Sequence, residues 1–119
     1  MSTDPLEHLV GDWVTLDETA AALGTSPNRV RQLVRDHALA MVRTDGSSAA
    51  RVPALLLHDG AVVKGLSGTL TLLDDAGYDA REAVGWLFTP DESLSGRPVD
   101  ALREHRIHEV RRRAQALGF

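Results

Sequence analysis

The chain has 119 residues, 43% of them hydrophobic, and a formal net charge of −4; this suffices for one folded core and is too apolar for wholesale disorder. It contains no Cys, which excludes a disulfide framework and a thiolate metal site. No apolar run approaches the roughly 18 residues of a membrane helix, and Met1 to Val10 lacks the basic start of a signal peptide, so the expected location is the cytoplasm.

Residues 1–12 read as a flexible acidic tail. Thr15-Leu-Asp-Glu18 is a capping box: the Thr15 hydroxyl can accept from the Glu18 amide while the Glu18 carboxylate reaches back. The helix it opens runs from Leu16 to Leu23, and Gly24 suits the left-handed residue that ends it. Ser26 is the next N-cap, with Pro27 at the first helical position, and the second helix continues to about His37. Two short helices joined by a glycine turn predict a helix-turn-helix. Leu39 to Thr44 then becomes strand-like, Asp45-Gly46 is a hairpin turn signal, and Ala50 to Val52 is the returning strand of a wing that Pro53 ends.

Beyond the wing the pattern is helical. Pro53 to Leu57 is a short apolar turn broken by Asp59-Gly60, and Ser67 caps a helix through Ala76 that Gly77 ends. Asp79-Ala-Arg-Glu82 is a second capping box, opening a helix that stops before Pro90. Asp91 to Gly96 is a loop, and Pro98 starts a last helix running almost to Phe119. The expected fold is mainly α with a small β-hairpin wing. It divides into a winged helix-turn-helix over residues 13–53 and a C-terminal helical region over residues 54–119 packed on it.

Charge is not spread evenly. Residues 1–23 carry five acids and no Lys or Arg (−5), and residues 24–52 carry five Arg against Asp36 and Asp45 (+3). Residues 53–96 carry two basic and seven acidic residues (−5), and residues 97–119 carry six Arg against three acids (+3). Phosphate binding responds to local potential rather than net charge, so the two basic islands are the candidates for it.

At 100° per residue, Val30, Leu33 and Val34 share one arc of the second helix and face the first helix. Asn28, Gln32 and Arg35 point the opposite way, with Arg29 and Arg31 on the flanks. Asn or Gln can pair with adenine and Arg with guanine in a major groove; flanking Arg side chains and the amides of the helix start at Ser26 suit phosphates. A merely solvated face mixes charge signs, yet no acid lies between Glu18 and Asp36. The predicted partner is therefore double-stranded DNA, with Arg43 and Arg51 beside the wing turn reaching phosphate or the minor groove.

The run Trp13-Val-Thr-Leu-x-Glu-x-Ala-x-x-Leu-Gly-x-Ser-Pro-x-x-Val-Arg-x-Leu-Val resembles the winged helix-turn-helix of excisionase-type and MerR-type proteins. Later stretches are more distinctive: Val63-Lys-Gly-Leu-Ser-Gly-Thr-Leu-Thr-Leu-Leu-x-Asp-Ala-Gly-Tyr78, Trp86-Leu-Phe-Thr-Pro-Asp91, Arg97-Pro-Val-Asp-Ala-Leu102 and Val110-Arg-Arg-Arg-Ala114. Together they resemble an actinobacterial family of winged-helix DNA-binding proteins that includes a mycobacterial substrate of Ser/Thr protein kinase L. The resemblance implies DNA binding, with regulation through a Thr of the N-terminal tail. This chain departs there: the tail before Trp13 is short and acidic, and Thr3 is its only Thr, so kinase control is not expected here.

The last helix places Val99, Leu102, Val110, Ala114 and Leu117 on one arc, with Arg106 and Arg113 inside it. Those guanidiniums must snorkel or meet acids; the face either offers part of itself to a second copy in a homodimer or lies wholly on its own domain with both guanidiniums in water. His105 and His108 lie three apart near Glu104 but lack further zinc ligands, and Trp86 and Phe88 read as core. With no Cys, GxSxG, P-loop or His/carboxylate cluster, the residues support neither an enzyme nor a metal or cofactor site. The competing class is a protein-interaction module: the order Trp-Leu, Arg-Pro, Leu, Val in the last forty residues resembles the partner-binding domain of Xre-type antitoxins.

Overall fold

The computed structural model describes residues 4–45 and 47–118. It has the expected winged helix-turn-helix followed by a helical extension, with three elements placed differently from the sequence reading. The first is the N-terminus. Residues 5–10, expected to belong to a flexible tail, form helix α1 (Pro5–Val10), capped by the Asp4 carboxylate on the Leu6 amide. Leu6 and Val10, four apart on one face, are buried where α1 packs against the later helix α5 (Ala80–Phe88). The acids of this segment find partners more than forty residues away, which no local reading of charge can reveal. Thr3 lies outside the described residues.

Strand β1 (Trp13–Val14) leads into α2 (Leu16–Leu23), whose Thr15–Glu18 capping box is formed in both directions. Gly24 takes the left-handed conformation at φ 66°, Ser26 caps α3 (Pro27–Arg35), and Pro27 occupies its first position. α3 ends two residues earlier than expected because His37 adopts a φ of 60°. The wing is minimal: Val42 and Arg51 exchange both backbone hydrogen bonds at 2.9 Å. Gly46, expected in the turn, lies outside the described residues. Beyond Arg51 the chain changes partner, and β2 (Val52–Pro53) pairs antiparallel with β1. The wing is thereby rooted in the strand that precedes the helix-turn-helix.

The second difference follows β2. After a 3₁₀ turn over Ala54–Leu56, strands β3 (Leu57–His58) and β4 (Ala61–Val62) form a hairpin where helix was expected. Asp59 and Gly60 both have positive φ, 51° and 77°, the signature of the two-residue turn that Asp-Gly favours. The paired strands are two residues each, too short to show an alternating pattern. α4 (Leu66–Asp75) then starts one residue ahead of Ser67, from a left-handed Gly65 with no side-chain cap. α5 follows through the Asp79–Glu82 capping box.

The third difference is the last helix, which is two helices. α6 (Pro98–Arg103) and α7 (Ile107–Gln115) are separated by a turn in which His105 has a φ of 64°. Unbroken, the segment would extend about 30 Å, against molecular dimensions of 34 × 32 × 24 Å. The break instead returns α7 along α4 and buries Val99, Leu102, Val110 and Ala114. Arg106 and Arg113 meet acids, as their placement demanded: Arg106 pairs with Glu109 and Glu104, and Arg113 with Asp91. One core results, drawing Val30 and Val52 from the first half and Leu66, Leu73, Leu87 and Leu102 from the second.

Gly65 holds the return of α7 in register. A Cβ there would lie 2.7 Å from Ile107 Cγ2 and 2.8 Å from its Cγ1, on a backbone with φ 85°. Gly65→Ala should therefore lower stability by about 2–5 kcal/mol, the left-handed penalty and the overpacking together. Urea unfolding would measure it, and Ile107→Ala in the same chain should recover the steric part. A loss below about 0.5 kcal/mol, the range of ordinary surface changes, would show that the helix start moves freely.

Candidate nucleic-acid interface

The orientation of α3 is set by three side chains. Val30 is fully buried, and Leu33 and Val34 are half-buried against the core. The remaining helix surface is exposed: Asn28, Arg29, Arg31, Gln32 and Arg35 all lie in solvent. The Ser26 Oγ accepts from the Arg29 amide at 3.1 Å, so this hydroxyl acts first as the cap that aims the helix start. α3 contains no acidic residue. Arg31 Nη1 donates to Asn28 Oδ1 at 2.8 Å, a tie that the separate stripe and flank assignments did not anticipate. Their spacing of three, one turn of helix, was its only sequence signal.

The two wing arginines separate. Arg43 is exposed, and its carbonyl accepts from Arg81 Nη1 at 3.5 Å. Arg51, expected beside it, is turned inward. Its Nη2 donates to both Glu7 carboxylate oxygens, at 2.7 and 2.6 Å, and to Thr44 Oγ1 at 2.9 Å. The guanidinium also sits 5.1 Å from the Trp13 ring centre, and only a fifth of the side chain is exposed. A phosphate would have to displace a bidentate carboxylate to reach it. The structure thus brings Ser26, Asn28, Arg29, Arg31, Gln32 and Arg35 together on one helix, leaves Arg43 free at the wing, and withdraws Arg51.

Glu7 belongs to a polar cluster that sequence reading missed. Thr44 Oγ1 donates to Glu7, the Trp13 indole donates to the Glu7 carbonyl at 3.2 Å, and Arg81 donates to Asp4, a side chain only 4% exposed. The Leu6 amide also donates to Asp4, at 3.0 Å. The Arg81 hydrogen bond, above all, holds the Asp4 carboxyl below its ordinary range. Hydrogen bonds from Arg51 and then Thr44 do the same for Glu7. At the other end of the chain His105, expected on one helical face with His108, sits in the turn between α6 and α7. Among the described residues no group of three or more His, Asp or Glu could hold a metal ion, and no helix is long and apolar enough to cross a membrane.

Two family models match the chain. One, described as the wHTH domain of DNA-binding protein Rv2175c, covers residues 2–57, and the other, described as the Rv2175c C-terminal domain of unknown function, covers residues 63–118. The chain is 40% identical over 117 residues to the DNA-binding protein Rv2175c of Mycobacterium tuberculosis strain H37Rv, spanning 87% of this chain and 79% of that protein. An NMR structure of Rv2175c superposes with a TM-score of 0.81 at 38% identity, covering 91% of this chain and 82% of the other.

The Asp4 and Glu7 shifts make stability depend on pH. Both carboxyls titrate lower in the folded than in the unfolded chain, so their contribution is complete above the ordinary carboxylate range and is lost as pH falls through the folded values. The melting temperature should therefore fall as pH drops below about 5. Glu7→Gln should lower it at neutral pH and flatten this acid limb. A Glu7→Gln protein with the parent's limb would show that the pair does not link folding to protons.

Proposed function

The chain belongs to the Rv2175c family of winged-helix proteins, and we propose that it is a DNA-binding protein that reads a duplex with α3 in the major groove and acts in the cytoplasm as a sequence-specific transcriptional regulator. The observation that carries this reading is the exposed, acid-free polar face of α3, held outward by buried Val30. Gln32 and Arg35 offer paired hydrogen bonds to adenine and guanine edges. Asn28 joins them, with its carbonyl oxygen bound to Arg31 in the free protein, so that docking on bases would exchange that internal bond for one to DNA. Arg29 and the amides behind Ser26 take phosphate at the helix start, and Arg43 takes it at the wing. Arg51 has a different part: it joins the wing root to α1 through Glu7. Two copies on half-sites one helical turn apart would supply the affinity that one short helix lacks.

The test is fluorescence anisotropy with duplexes selected from a genomic fragment pool, at two salt concentrations. Arg35→Ala should cost about 1–3 kcal/mol and relax the preference at one base pair, whereas Arg29→Ala or Arg43→Ala should weaken all duplexes alike and reduce the salt slope by about one. Arg51→Ala should leave the salt slope unchanged and lower the melting temperature. Unshifted fragments at low salt would sink the proposal.

A further inference from the structure

Behind the reading helix, where the two halves of the chain meet, lies a cavity of about 120 Å³. Its floor is apolar, made by Val34 of α3, Leu39, Leu70 of α4 and Ala83 of α5. Its rim is polar, with His37, Asp74, Tyr78 and Asp79 around the opening. The two halves of the rim touch through His37 Nε2 and Asp74 Oδ1, 3.4 Å apart and both about half exposed. Asp79 is partly occupied, since its carboxylate caps α5 by accepting from the Glu82 amide at 2.8 Å. The Tyr78 hydroxyl makes no hydrogen bond among the described residues. No Lys or Arg lines the cavity, whose acidic groups are Asp74, with His37 against it, and Asp79, with Arg81 within electrostatic reach.

Size and polarity restrict what fits. An apolar cavity of about 150 Å³ holds one benzene, so this floor takes a single ring or a short branched alkyl group. Pockets of this kind gain orientation from a few polar groups at the mouth, and here those groups are anionic or hydrogen-bonding. We propose that the cavity is a binding site for a small apolar cation, with the ring or alkyl group on the Val34, Leu70 and Ala83 floor and a protonated amine at Asp74 and the Tyr78 hydroxyl. A benzoate-like anion meets the same carboxylates and is repelled. Because Val34 and His37 belong to the end of α3 and its exit turn, while Asp74 and Ala83 belong to the helical extension, an occupant bridges the two halves. Binding itself does not rest on the proposed DNA reading.

Titration of the full chain with benzylamine, benzyl alcohol and benzoate, followed by amide NMR, tests it. Benzylamine should give saturable shifts confined to residues 34–40 and 70–83, benzyl alcohol weaker ones at the same positions, and benzoate none. Asp74→Asn should weaken benzylamine about two- to fivefold, the worth of one exposed charge contact, and leave benzyl alcohol unchanged. Ala83→Leu places a branched chain in the cavity and should abolish both. If that variant melts below the parent, Leu70→Phe fills the same space from α4 and serves in its place. Equal binding of all three compounds, no saturation by benzylamine, or binding that survives in a folded cavity-filled variant would overturn the proposal.

Discussion

Among the described residues no α-helix is longer than the ten residues of α4, and that shortness governs the rest of the structure. Isolated helices below about 12–15 residues are marginal in water. Each helix here must therefore lend its apolar side to a shared core rather than stand alone. α1 contributes Leu6 and Val10, α3 contributes Val30, and α6 and α7 contribute Val99, Leu102 and Val110 to one continuous cluster. The winged helix-turn-helix and the helical extension are thus mechanically one body. The break at His105 serves the same need, because it lets α7 return along α4 instead of leaving the core.

Short elements also place weight on their ends. α2, α3 and α5 each begin with a side-chain cap on the third amide, at Thr15, Ser26 and Asp79, and each such cap is worth about 1 kcal/mol. α4 begins differently, on a left-handed glycine pressed against Ile107. Where the starts of α2, α3 and α5 are held by a side-chain hydrogen bond, this one is held by close approach of backbone and side chain.

The arginines divide by what they face. Five are committed to carboxylates: Arg51 to Glu7, Arg81 to Asp4, Arg97 to Asp100, Arg106 to Glu104 and Glu109, and Arg113 to Asp91. Arg103 donates to the Leu55 and Leu57 carbonyls. On α3, and at Arg43 of the wing, no arginine has a carboxylate partner among the described residues. An acidic protein can present a basic face in this way, since each paired carboxylate cancels a cation elsewhere and leaves the α3 potential uncompensated. The same pairing explains why the acids of residues 4–7 are structural rather than a solvated tail.

By itself the sequence determined most features whose cause is local. The Thr15 and Asp79 capping boxes, the Gly24 turn, the Ser26-Pro27 start and the outward stripe of Asn28, Gln32 and Arg35 depend on residues within one or two helical turns, and each stands where the spacing puts it. Features that join distant segments were decided by the tertiary structure. Whether Arg51 is a phosphate ligand or the root of the wing depends on Glu7, forty-four positions earlier. Whether residues 5–10 are tail or helix depends on burial against α5, and whether the last segment is one helix or two depends on the core it must cover. Only Asp59-Gly60 was legible locally and read otherwise, because two-residue strands carry too little pattern to announce a sheet.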